Sequence, residues 1–255
     1  TCALPIYRQI GQGKPLVILH GLFGSSDNWL THAKKLAEYY EVTLVDLRNH
    51  GHSPWSVEFS YSLMVQDLQG LLLELQIHRP ILLGHSMGGK LAMHYDQAHP
   101  DSLEKLIVVD MGVKAYPPHH AHILAAIHAI DLSKLSARSE AETILKTFVD
   151  SEGVRQFLLK NLYWEEKGKL AWRVNFPVLE ASMNEILSAL PEFESFTPAL
   201  FIRGLLSNYI LDEDIAQLES YYPDAQFSSI PQAGHWVHAE APDAFLDAVL
   251  SFSLR

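Results

Sequence analysis

The sequence predicts an α/β protein built on a mostly parallel sheet with helices on both faces. Three observations carry this expectation. Short, continuous Val/Ile/Leu runs recur along the chain, amphipathic stretches of helical length separate them, and no internal repeat or charge block interrupts the alternation. A strand covered on both faces has no polar side, so it reads as an unbroken apolar run. Strands alternating with helices fit a parallel sheet with crossover connections.

Taken in order, residues 15–19 read as a buried strand ending at His20-Gly21. Residues 41–46, 80–83, 106–109 and 199–202 repeat the pattern, with a weaker sixth run at 225–230. Residues 6–10, before Gly11 and Gly13, suit an extra edge strand. Helical patterns fall at 28–39, 62–75, 88–99, 212–221 and 242–251. Between about 114 and 196 the rhythm breaks into helical periodicity without a good strand, bounded by Pro117-Pro118 and Thr197-Pro198. The simplest organisation is a core of residues 1–113 and 197–255, with residues 114–196 inserted as a helical cap over one end of the sheet.

Composition narrows the function classes. The chain has 255 residues, 48% hydrophobic and 19% charged, which is globular and not disordered. At this length folding buries roughly 70–75% of the unfolded surface, so no disulfide or metal staple is needed. Nineteen basic and 30 acidic residues give a net charge of −11, the wrong sign for a nucleic-acid surface. A single cysteine, Cys2, permits no intrachain disulfide and points to a reducing, cytoplasmic setting. No apolar run reaches the roughly 18 residues of a membrane span, and no basic segment followed by an apolar one opens the chain.

The chemistry centres on Gly84-His85-Ser86-Met87-Gly88, a G-x-S-x-G pattern between an apolar strand run and a helical pattern. That is the setting of a nucleophile elbow. The serine must occupy a strained, very tight turn, and the positions two before and two after it come too close for side chains. A helix starting just after Ser86 aims its free N–H groups at the nucleophile.

A serine hydroxyl needs a base within hydrogen-bond reach. Of fourteen histidines, His235 is best placed, in a small-residue loop between the last strand and the last helix. His238 is its rival and suits a helix start or packing beneath the site. His85 adjoins the serine, but neighbouring side chains on an elbow point apart. His119, His120, His122 and His128 resemble a metal cluster, yet no carboxylate–cysteine framework accompanies them, and a helix surface explains them; no metal is expected. The turn at His20-Gly21-Leu22-Phe23-Gly24 lets the Leu22 N–H face the cleft. Paired with the Met87 N–H, it would stabilise an oxyanion.

These residues, in this order, resemble the α/β-hydrolase superfamily over nearly the whole chain. Residues 46–53 match its D-x-R-x-x-G-x-S loop, which is structural there, so Ser53 is not the nucleophile. Asp27-Asn28-Trp29, residues 48–53 and residues 233–239 are similar, more closely, to the small bacterial esterases of the YbfF type. The resemblance implies ester or thioester hydrolysis without a cofactor, under a helical cap.

The acid partner of His235 has two candidate positions. Most of the superfamily places it after the strand matched by residues 199–202, but this sequence carries Gly204-Leu205-Leu206-Ser207-Asn208 there, and no carboxylate before Asp212 and Asp214. Asp110, directly after residues 106–109, also opens into the cleft, and the YbfF-like group places its acid there. Both keep the Ser…acid…His chain order.

Phe23, Met87, Met111, Tyr116, Trp164, Trp172, Phe176, Tyr209 and Trp236 are candidate pocket residues, and Arg173 could meet an anionic group. Apolar lining with few polar anchors suits a small-molecule acyl ester or thioester. Carbon–carbon bond hydrolysis, perhydrolysis and a silent ligand sensor on the same scaffold are the alternatives. Either a monomer or a homodimer is compatible with the sequence.

Overall fold

The computed structural model describes residues 4–255; Cys2 lies outside them. Seven strands form the main sheet: β1 (Tyr7–Ile10), β2 (Lys14–Leu19), β3 (Tyr40–Val45), β4 (Ile81–His85), β5 (Lys105–Val109), β8 (Ala199–Gly204) and β9 (Gln226–Ile230). Their order is β1-β3-β2-β4-β5-β8-β9, with only β1 antiparallel to its neighbour. A hairpin of β6 (Leu162–Glu166) and β7 (Lys169–Trp172) stands apart from this sheet.

The continuous apolar runs are explained by burial on both faces. Val17 and Leu19 of β2 join one core with Leu68 and Leu91, whereas Leu16 and Ile18 join a second core with Leu36 and Phe245. The helices on the first side are α2 (Tyr61–Glu74) and α3 (Met87–Ala98). On the second side lie α1 (Leu30–Leu36) and α11 (Pro242–Ser253). Each such fully buried aliphatic side chain contributes about 1.5–3 kcal/mol relative to exposure. Ser60 starts α2 by accepting the Leu63 N–H at 3.2 Å, and Pro242 begins α11, where its missing N–H costs no helical bond. The short helices α9 (Ile215–Tyr221) and α10 (Val237–Glu240) complete the C-terminal part.

Between β5 and β8 the chain leaves the sheet. It forms α4 (Ala121–His128), α5 (Arg138–Leu145), α6 (Glu152–Leu159), the β6–β7 hairpin, α7 (Phe176–Ala181) and α8 (Met183–Ile186). The hairpin corrects the expectation of a strand-free excursion. Its turn includes Gly168 at φ +83°, and the exposed Glu165, Glu166 and Lys167 at its tip break up the apolar pattern that would announce two strands. The two ends of the excursion are tied together. The Tyr116 N–H donates to the Leu187 carbonyl at 2.9 Å and the Leu190 N–H to the Val113 carbonyl at 2.8 Å. Lys90 of α3, fully buried, donates from Nζ to the Lys114 carbonyl at 3.1 Å and to the Ser188 carbonyl, reaching both stems at once. Among the described residues no helix is long and apolar enough to cross a membrane.

Candidate active site

The site lies along the carboxyl ends of neighbouring parallel strands, the usual position for ligands in open α/β sheets. Ser86 follows β4, Asp110 follows β5, Ser207 lies just beyond β8 and His235 beyond β9. Main-chain bonds fix the first two: the Ser86 N–H donates to the Val109 carbonyl at 3.1 Å, and the Asp110 N–H to the Ile202 carbonyl at 2.7 Å. Each residue is thereby pinned by the adjacent strand.

Ser86 has φ +52° and ψ −122°, a conformation that non-glycine residues adopt only when the surroundings enforce it. The enforcement is visible at the flanking glycines. A Cβ on Gly84 would lie 2.2 Å from the Gly88 carbonyl oxygen, and one on Gly88 would lie 2.4 Å from that of Leu19. Of the seven non-glycine residues with positive φ among those described, Phe23, Ser86 and Asp110 meet at this site.

The three side chains form one hydrogen-bonded line. Ser86 Oγ donates to His235 Nε2 at 2.9 Å, and His235 Nδ1–H donates to Asp110 Oδ2 at 2.8 Å. This tautomer follows from the carboxylate, which only accepts when ionised. Asp110 is fully buried, and Oδ2 also accepts from Ser207 Oγ while Oδ1 accepts from the Gly204 N–H at 3.2 Å. Burial raises the Asp110 carboxyl to about 6, against the opposing pull of those two bonds. Burial, with His119 nearby, holds the His235 imidazole well below its ordinary value. At neutral pH the pair therefore rests as carboxylate and neutral imidazole, the state a general base requires.

Other histidines support this line. His85 Nε2–H donates to the His235 carbonyl at 2.9 Å, beneath the loop. His238 is buried and stacks on Trp29 with ring centroids 4.2 Å apart, so it packs under the site. His20 orders the preceding turn, donating from Nδ1 to the Gly21 carbonyl at 2.8 Å and accepting the Leu47 N–H at 3.0 Å on Nε2. Gly21 passes so close to Ser86 that a Cβ there would lie 3.1 Å from the serine Cβ. Neither the Leu22 nor the Met87 N–H donates to an acceptor among the described residues, and both belong to segments beside Ser86. The loop at residues 46–53 is structural: Asp46 accepts from the Ser26 and His52 N–H groups at 2.7 and 2.9 Å, and Ser53 Oγ donates to the Asp46 carbonyl at 2.5 Å.

In front of Ser86 opens a cavity of about 750 Å³, walled by Leu22, Phe23, Ile123, Val154, Phe157 and Trp236 together with Tyr209 and several histidines. Tyr209 stacks on His235, ring centroids 3.8 Å apart and planes within 15°. His119 and His120 also face this cavity, and His119 meets the Tyr209 hydroxyl at 2.5 Å. A helix surface therefore does not account for them; they stand just before α4 and wall the site. Among the described residues no group of three or more His, Cys, Asp or Glu side chains could hold a metal ion.

Several expected pocket residues lie elsewhere. Met111 and Tyr116 are buried behind the cavity, where the Tyr116 hydroxyl accepts from the Gly112 N–H at 2.7 Å and donates to the Tyr209 carbonyl at 2.9 Å. Trp172 and Arg173 line a separate cavity of about 730 Å³, against Trp55, Ile127 and Leu170. Phe176 stands between the two spaces, its ring 5.1 Å from Phe23 and 5.2 Å from Trp172. Arg173 spends its guanidinium on His52 Nδ1 at 2.9 Å and on the Tyr163 ring. Trp164 is 45% exposed on the hairpin. The alternative acids are engaged otherwise: Asp212 pairs with Arg203 at 2.5 Å and Asp214 with Lys114 at 2.5 Å. Tyr209 lines the cavity as expected, whereas Ser207 contacts Asp110 without a sequence motif to mark it; the run after Gly204, which lacks a carboxylate, was the available signal.

Comparison with known proteins agrees with this architecture. The profile of the alpha/beta hydrolase family matches residues 16–248. The chain is 39% identical to the sn-1-specific diacylglycerol lipase ABHD11 of Mus musculus, over 93% of this chain and 80% of that protein. It is 39% identical to the esterase YbfF of Escherichia coli (strain K12), over 92% of this chain and 91% of that one. Among solved structures, a marine microorganism esterase superposes with a TM-score of 0.95 at 40% identity, covering 98% of this chain and 99% of that one. On the sheet order, the elbow and these matches together, the protein belongs to the alpha/beta hydrolase family.

Proposed function

We infer that this protein is a serine ester hydrolase that works through an acyl-serine on Ser86. The observation that carries the reading is the unbroken line from Ser86 Oγ through His235 to Asp110, opening onto an apolar cavity. Relatives named esterase and lipase support ester hydrolysis on this fold.

Ser86 Oγ attacks the acyl carbonyl carbon as its proton passes to His235 Nε2. Asp110 keeps the proton on Nδ1 and stabilises the imidazolium that forms. The Leu22 and Met87 N–H groups receive the negative charge on the former carbonyl oxygen. The tetrahedral adduct collapses, the alkoxide leaves with the proton from His235, and an acyl-serine remains. Water, deprotonated by His235, then repeats the sequence and frees the acid. The chemistry accommodates esters and thioesters alike, because the leaving group faces the histidine in both. Residues 114–196 serve as a cap over the core of residues 1–113 and 197–255, and they supply Ile123, Val154 and Phe157 to the cavity. Those walls suit an aliphatic acyl chain, as in acylglycerols, the class named for the mouse relative.

The test is turnover of p-nitrophenyl esters of increasing acyl length by wild type and Ser86→Ala, with fluorophosphonate labelling mapped by mass spectrometry. The expected result is label on Ser86 and a loss of about 10⁴-fold or more in the folded variant. Full activity in Ser86→Ala would remove the nucleophile assignment.

A further inference from the structure

The Leu22 N–H can stabilise an oxyanion only if the turn around it is held rigidly, and a glycine-flanked turn is not rigid by itself. The conformation of the next residue, Phe23, bears directly on that turn. It has φ +61°, in the left-handed region that a bulky residue leaves unless it is held. Both of its peptide groups are held. Its N–H donates to His50 Nε2 at 3.1 Å, and His50 Nδ1–H in turn donates to the Arg48 carbonyl at 2.8 Å, which fixes that imidazole as an acceptor toward Phe23. Its carbonyl accepts from Asn161 Nδ2 at 2.8 Å.

Asn161 comes from a distant part of the chain, 138 residues on. It stands between α6 and β6 and is only 3% exposed. Its own backbone is fixed at both ends: its N–H donates to the Leu158 carbonyl at 3.0 Å, and its carbonyl accepts the Arg173 N–H at 2.8 Å from beyond β7. A buried amide on an anchored backbone is a rigid donor. It has no reach to solvent and no charge to titrate, and it points at the Phe23 carbonyl, one residue beyond the proposed oxyanion donor.

We propose that Asn161 is a positioning residue of the oxyanion site: it locks Phe23 in its left-handed conformation and thereby aims the Leu22 N–H at the developing charge. This rests on the esterase reading above. It gives the inserted excursion a part in the chemical step in addition to walling the cavity. Removing the donor frees one side of the turn, so the loss falls on the transition state and not on the bound substrate.

The experiment compares wild type, Asn161→Ala and Asn161→Asp on one p-nitrophenyl ester, with melting temperatures and two ligands. An alkyl boronic acid mimics the tetrahedral adduct, and the alcohol of the same chain length reports ground-state binding. The expected result is a fall in kcat of about 10- to 100-fold, below the effect of deleting a donor outright. KM and alcohol affinity stay within about threefold, while boronate affinity falls in parallel with kcat. Asn161→Asp, isosteric but turning an acceptor toward the Phe23 carbonyl, loses at least as much. A lowered melting temperature with kcat and boronate affinity unchanged would overturn the proposal and leave Asn161 a packing residue. Equal losses in alcohol and boronate affinity would overturn it too. Wild-type turnover that persists in Ser86→Ala would instead remove the ester-hydrolase site itself, and this role for Asn161 with it.

Discussion

Ser207 Oγ donates to Asp110 Oδ2, the same oxygen that receives the His235 Nδ1–H. Two donors on one oxygen favour the ionised carboxylate, against the burial that raises its pKa to about 6. Ser207→Ala removes the hydroxyl donor, so the Asp110 carboxyl rises further. A hydrogen bond to a charged group is worth about 1.5–3 kcal/mol, which corresponds to about one to two pH units. The acid limb of the kcat/KM profile, expected near pH 6 in wild type, should move upward by about one unit or more. Steady-state rates between pH 4 and 9 check this, and superimposable profiles would count against it.

Asp110→Asn separates activity from stability. The variant leaves His235 in the wrong tautomer, and kcat should fall by about 10⁴-fold. Stability runs the other way. The folded carboxyl titrates near 6, above its unfolded value of 3.8, so the native state binds the proton more tightly. Keeping Asp110 ionised therefore costs stability above pH 6, and the cost fades as the pH falls from 6 toward 3.8. Melting temperatures should place Asp110→Asn at or above wild type at pH 7, with the gap closing toward pH 4. A large drop in melting temperature at pH 7 would contradict this.

Lys90 offers a second titration with the opposite charge. Burial lowers its ammonium to about 8 from 10.5. Between those values the unfolded chain binds more protons than the native one, so stability contributed through this group rises with pH. Denaturant unfolding of wild type and Lys90→Met, compared at pH 7.5 and 10, should show wild type gaining relative to the variant. Parallel behaviour at both pH values would mean that Lys90 keeps its ordinary affinity for the proton.

Gly84→Ala tests the elbow itself. The added methyl meets the Gly88 carbonyl oxygen at 2.2 Å, a main-chain atom that cannot swing aside. Overpacking of this kind costs about 1–3 kcal/mol and more where backbone must move. Loss of soluble expression, or a folded protein without fluorophosphonate labelling, is expected. A stable variant of wild-type activity would show that the turn tolerates side chains.

What the sequence made legible follows from where each residue is constrained. Val17, Leu82 and Val108 lie in strands buried on both faces, and that burial writes continuous apolar runs. Gly84 and Gly88 are required by contact with backbone, so the turn at Ser86 could be recognised locally. Asp110 could be named as one of two candidate acids because a strand ends immediately before it and the YbfF-type resemblance points there. The residues that were misplaced depend on packing between separate segments. Trp172 and Arg173 line a second cavity, with Phe176 packed between Trp172 and Phe23, and no local pattern records that. The β6–β7 hairpin was missed because Glu165, Glu166 and Lys167 at its tip interrupt a short apolar run. Ser207, His119 and Asn161 reach the site through the tertiary structure alone.

The bonds between Tyr116 and Leu187 and between Val113 and Leu190 make the excursion detachable in principle. From the core, residues 117–186 are a single loop whose ends are already joined. A lineage could exchange that loop for one of another length without re-threading the sheet, and an engineer could graft a foreign segment at the same junction. Any such replacement would have to bring its own counterpart of the Asn161 amide, or the turn at Phe23 would be left without its second tether.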